Sequence, residues 1–91
     1  MNDLSKTLED RKSVYGDYSK LVKLRTTIIS EIKEHYFSHH KKFMPETDIL
    51  CIIDIVNKLC RLAVTPSHID TWHDIAGYGT IIEKYYREKE K

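Results

Sequence analysis

Apolar side chains return along most of this chain at every third or fourth position, the spacing of one helical face. No run alternates strictly enough to form a strand. The pattern predicts four helices. The first covers about Asp3 to Val14, with Leu4, Leu8 and Arg11 on one face. It stops at Tyr15-Gly16-Asp17, where Gly16 can take the left-handed conformation that ends a helix and Asp17 can cap the next one. The second runs from about Tyr18 to Phe37, with a stripe of Tyr18, Leu21, Val22, Arg25, Ile28, Ile29, Ile32 and Tyr36 that Arg25 interrupts. Ser38 to Met44 is polar, loses the period and reads as a frayed end and loop. Pro45 opens the third helix, about Glu46 to Ala63, and Asp48 favours that start through the helix dipole. Its core face is Ile49, Ile52, Ile53, Val56, Leu59, Cys60 and Ala63. It ends before Thr65-Pro66, since the residue preceding a proline resists the helical conformation. Ser67-His68-Ile69-Asp70 fits a capping box and starts the fourth helix, which runs to about Arg87 and buries Ile69, Trp72, Ile75, Ala76, Ile82 and Tyr86. Glu83 with Arg87, and Lys84 with Glu88, lace its solvated end. The fold expected is all-α, a small antiparallel bundle of three to four helices with short connections.

Composition narrows the class. Ninety-one residues, 41% hydrophobic and 32% charged, make one helical domain over 1–91 and leave no room for a second core. A core of this size is marginal, and the uncovered part of the apolar stripe makes a homodimer the expected state. Three Gly and two Pro exclude collagen-like and Pro/Gly-rich classes. No apolar run approaches the roughly 20 residues of a bilayer span. Met1-Asn2-Asp3-Leu4-Ser5-Lys6 lacks the apolar region of a secretory signal, so a cytoplasmic protein without membrane contact is expected. Fifteen Lys+Arg against fourteen Asp+Glu give a net charge of +1, too weak a field for sequence-independent nucleic-acid binding. His39-His40-Lys41-Lys42, flanked by Glu34 and Glu46, is a local basic spot that reads as a solvated helix end. Cys51 and Cys60, nine residues apart on one helix, stand about 13 Å apart along its axis. That exceeds the reach of a disulfide, so both are expected as free thiols in the core.

The candidate chemistry gathers in the last hairpin. Asp54, Lys58 and Arg61 share a stripe of the third helix with Asn57 beside it, and Asp70, Asp74 and either Gly77 or Tyr78 recur likewise on the fourth. A tight turn near Thr65 sets Arg61 level with Asp70, Asn57 with Asp74 and Asp54 with Gly77. Two readings of this polar seam stand side by side. In one, ion pairs pin the hairpin, each contributing about 0–1 kcal/mol if exposed. In the other, Lys58 and Arg61 meet phosphate oxygens, or Asp70 and Asp74 hold a divalent cation. Gly77 and Gly79 lie inside the fourth helix, where each costs roughly 1 kcal/mol against alanine. Close helix packing is the commonest compensation; approach of a ligand to bare backbone, or a helix break, are the others. His35 and His39 have the spacing of a helical metal pair without a zincin motif around them, and His68 and His73 do not share a face. Tyr85-Tyr86 suits either a partner contact or a cover for the bundle's end.

Three stretches carry a likeness. Arg11-x-x-x-Tyr15-Gly16-Asp17, Asn57-Lys58-Leu59-x-Arg61-Leu62 and His68-x-Asp70-x-Trp72-x-Asp74-Ile75-Ala76-Gly77-Tyr78 resemble a small helical domain common in phages and prophages. The resemblance covers roughly Arg11 to Ile82, and the run from Asp70 to Tyr78 is its most specific part. More distantly, the chain is similar to nucleotide-modification-associated domains and to the all-α nucleoside-triphosphate pyrophosphatases. The resemblance implies Lys58, Arg61, Asp70 and Asp74 as ligand-binding residues, joined by Tyr15, Asp17 and Tyr78. The pyrophosphatases gather magnesium with a Glu-x-x-Glu on one helix and a second acidic pair on another. Here Glu31-x-x-Glu34 has the first spacing, Asp70-x-x-x-Asp74 approximates the second, and Glu31 and Glu34 face solvent beside the Ile28/Ile32 stripe. The expected function is that of a phage-type accessory protein in the host cytoplasm. It acts by binding a host protein or a nucleotide-like phosphorylated ligand, with no cofactor and no catalytic residue. The alternatives are a minimal magnesium-dependent pyrophosphatase and a purely structural interaction protein.

Overall fold

The computed structural model describes residues 16–90. The first predicted helix and Tyr15 lie outside the described residues. Three helices follow, α1 (Tyr18–His40), α2 (Glu46–Leu62) and α3 (Ile69–Lys89), with no strand among the described residues. The all-α architecture expected from the periodicity is therefore present. Successive helices run antiparallel. Gly16, before α1, sits against Val64, beyond the end of α2, and Tyr86 near the end of α3 bonds Asp48 at the start of α2. No described helix is long and apolar enough to cross a membrane.

Local chemistry accounts for most boundaries. Gly16 takes φ +85°, and the Asp17 carboxylate accepts from the amides of Ser19 at 2.9 Å and Lys20 at 3.4 Å, capping α1 as anticipated. The helix then outruns its expected end at Phe37 and continues to His40. Nothing between Ser38 and His40 breaks a helix, and the Tyr36 and His40 rings pack 4.1 Å apart. It closes at Lys41, whose left-handed backbone (φ 59°, ψ 29°) sends its amide to the Phe37 carbonyl at 2.8 Å. Pro45 stands at the N-cap of α2, and its carbonyl accepts from Asp48 and Ile49.

The capping box expected at Ser67 does not form. His68 is the N-cap of α3 and makes no side-chain cap bond; its Nδ1 lies 2.7 Å from the Thr71 hydroxyl instead. The turn after Pro66, closed by the His68 amide on the Thr65 carbonyl at 3.1 Å, delays the helix by a residue. The buried face of α3 shifts with it. Thr71 is buried, and Ile75, Tyr78, Ile82 and Tyr85 follow as half-buried positions at alternating steps of four and three, the seam of a helix packed against one neighbour. Ile69, Trp72 and Ala76, expected inside, are exposed.

α2 is the middle helix. It packs against both neighbours, while no Cα–Cα approach within 8 Å joins α1 to α3. It accordingly carries two apolar rows. Ile49, Ile53, Val56 and Cys60 form one, and Cys60 there shares a groove with Leu21 and Leu24 of α1. Cys51, Ile55, Lys58 and Leu62 form the other, toward Asp74 and Tyr86 of α3. Val56, Cys60 and Leu62 are the buried hydrophobic residues among those described, so the core is α2's own. The stripe of α1 from Leu21 to Tyr36 is half-buried, but Tyr18, Leu59 and Ala63, expected in the core, are exposed. Both thiols are free. Burial pushes the Cys60 thiol up from its ordinary value, and the Arg25 charge partly offsets it.

Candidate functional site

Two antiparallel helices joined by a short turn bring Lys58 and Asp74 face to face. The Lys58 ammonium donates to Asp74 Oδ2 at 3.0 Å across the α2–α3 seam. This hydrogen bond is the largest influence and holds the Asp74 carboxyl below the ordinary range; desolvation opposes it, and the charges of Lys58, His73 and Arg61, each smaller, act with it. Around the pair, Lys58, His73, Asp74, Gly77, Tyr78 and Ile81 line an open cleft of about 380 Å³.

The remaining residues of the anticipated set fall differently. Asp70 lies in the first turn of α3 with its side chain exposed, and the ion pair expected between it and Arg61 is not formed. The delayed start of α3 sets Asp70 outside the seam, near the positive end of the helix dipole. Arg61 is half-buried and reaches Asp74 through its charge. Asp17 caps α1 and borders a separate groove of about 380 Å³ with Lys20, Leu21, Leu24, Cys60 and Val64. The cleft thus unites Lys58, Asp74 and Tyr78, while Asp17 and Asp70 stand apart from it. Two of its walls, His73 and Ile81, were not anticipated; His73 precedes Asp74 directly, and Ile81 stands seven residues beyond it, two turns along the same flank.

Gly77 and Gly79 answer the question posed by their cost. A Cβ built at either position meets nothing within 4 Å among the described residues, so close packing of the described helices is not the reason for them. Nor does the helix break, since α3 is continuous from Ile69 to Lys89. Both face outward, Gly77 on the wall of the cleft. Ile81, one turn beyond Gly77 on the same flank, is 65% exposed, while Gly79 and Trp72, 52% exposed, lie on the opposite flank of the helix. Trp72 is held in place, its indole N–H donating to the Pro66 carbonyl at 2.7 Å.

Among the described residues, no group of three His, Cys, Asp or Glu side chains is placed to hold a metal ion. Glu31 and Glu34 are on α1, which does not pack on the helix that carries Asp70 and Asp74. The seam offers an internally neutral ion pair, an imidazole, a phenol and bare helical backbone next to exposed apolar side chains. Protein-family models, curated proteins and solved structures give no match to this chain.

Proposed function

We propose that this chain is a small phage-type accessory protein that works in the host cytoplasm by binding a host protein through the outer surface of α3. The likeness of the Asp70–Tyr78 run to the phage helical domain supplies the setting. One observation carries the binding reading. On the cleft flank of α3, Gly77 leaves helical backbone that no described residue covers, next to the exposed side chain of Ile81 one turn on. A partner helix or strand laid there gains close backbone approach and apolar contact at once. Lys58, engaged by Asp74, fixes the cleft's shape and leaves its charge neutralised, which favours a protein surface over a phosphate.

The test exploits the open space at Gly77. Gly77→Gln disturbs no contact within the chain and removes a helix-breaking residue, so the fold should melt no lower than wild type. Immobilised wild-type protein should retain one host protein at stoichiometric yield, and Gly77→Gln should lose it. Retention unchanged in Gly77→Gln would remove α3 from the reading. A thermal shift with nucleotides that vanishes in Lys58→Met would assign the cleft to a phosphorylated ligand. Magnesium-dependent pyrophosphate release lost in Asp74→Asn would make the chain an enzyme.

A further inference from the structure

The corner between α1 and α2 carries a second surface, remote in chain position from the α3 face. Phe43 is 85% exposed and Phe37 44%, and their rings lie 5.2 Å apart at 42°. Together with Lys33, Glu34 and Ser38 they line an open groove of about 680 Å³, within the range of ligand-binding clefts, roughly 300–1,000 Å³. The corner's shape is set by Lys41. Its left-handed backbone turns the chain at the end of α1 and brings Phe43 back onto Phe37. A glycine would take that conformation without strain; a lysine takes it and adds a cation two residues before Phe43.

Charge identifies the occupant. Lys33 lines the groove, and Lys41 and Lys42, which directly precede Phe43, are exposed, against Glu34 on the groove's wall and Glu46 further on. A chain that is nearly neutral overall therefore presents one locally basic, apolar-centred patch. We propose that this corner docks an acidic protein segment that lays one large apolar side chain against the paired rings of Phe37 and Phe43 and sets its carboxylates against Lys41 and Lys42. The apolar feature is concave, which fits an inserted side chain. The inference is independent of the α3 reading, since it uses none of the same residues.

Selection of a random-peptide display library on the wild-type chain, counter-selected on Phe43→Ser, tests it. Phe43 is so exposed that the variant should keep the wild-type helical circular dichroism and melting temperature. Enriched peptides should share an aromatic or long aliphatic anchor flanked by Asp or Glu. A synthetic peptide of that type should bind with affinity reduced about tenfold or more in Phe43→Ser and in Lys41→Gln/Lys42→Gln, and should weaken as salt is raised. No enrichment over Phe43→Ser, or enrichment of peptides without acidic residues, overturns the proposal. Sedimentation with phosphatidylserine vesicles, or a mobility shift with oligo-dT, abolished by Phe43→Ser would equally overturn it and give the corner to lipid or to single-stranded nucleic acid. The Gly77→Gln variant should bind the peptide as wild type does, which separates this outcome from that of the α3 face.

Discussion

A methyl group added at Gly16 and one added at Gly77 meet opposite surroundings. At Gly16 it would lie 2.8 Å from Val64 Cγ2, on a backbone at φ +85° that side chains rarely adopt. At Gly77 and Gly79 it would enter open space on a regular helix. Gly16→Ala should therefore destabilise the fold by roughly 1–2 kcal/mol. Gly77→Ala and Gly79→Ala should each stabilise it by about 0.5–1 kcal/mol. Urea denaturation followed by circular dichroism reads both signs, and a loss of stability at Gly77 would mean that the chain itself uses the gap. The sequence made the first case legible, because Tyr-Gly-Asp between two periodic runs demands a chain reversal that glycine serves. It left the second open, because the worth of a helical glycine depends on what lies across from it, and no local pattern encodes that.

At the scale of elements, caps and packing phases decide what the sequence reveals. Asp17 announces α1 because its carboxylate needs only the amides two and three residues on, those of Ser19 and Lys20. Ser67 misleads because the turn fixed by Pro66 takes precedence, so the helix begins after His68, and the face of α3 expected inside rotates outward with Trp72 and Ala76. The seam still forms, one residue out of the expected register: Asp74 meets Lys58 at 3.0 Å, where the turn centred near Thr65 set it level with Asn57. That pair gives the hairpin a pH signature. The Lys58 hydrogen bond lowers the folded pKa of Asp74 below its ordinary value of 3.8, so the unfolded chain binds this proton more readily. The pair's contribution is therefore fully present above about pH 4 and is lost as the pH falls through the lowered pKa. Lys58→Met should flatten the acid limb of a stability–pH profile below about pH 4 and leave its course near neutrality unchanged in slope. Equal acid limbs in the two proteins, measured as urea midpoints, would show that Asp74 gains nothing from Lys58.

The molecule as a whole is a middle helix with a neighbour on each side, and this topology explains what helical periodicity hides. A single-stripe reading finds Ile49, Ile53, Val56 and Cys60, the row of α2 toward α1, and misses Ile55 and Leu62 on the row toward α3. A helix flanked on two sides needs two apolar rows, and two rows at helical spacing blur into one broad stripe that also takes in Leu59, here 46% exposed. With so little fully buried, each core side chain carries a large share of a stability that for a domain of this size is only about 5–10 kcal/mol. Leu62, 6% exposed at the end of α2 where the chain turns toward α3, is the sharpest case. Leu62→Ala should cost roughly 2–5 kcal/mol through lost burial and the cavity left behind. Leu59→Ala, three residues earlier on the same helix, should cost less than about 1 kcal/mol, because its side chain already stands half in water. Urea midpoints at matched slopes measure both. A larger loss at Leu59 than at Leu62 would place the face of α2 toward solvent where the fold puts its core, and would break the two-row arrangement that holds the Lys58–Asp74 seam closed.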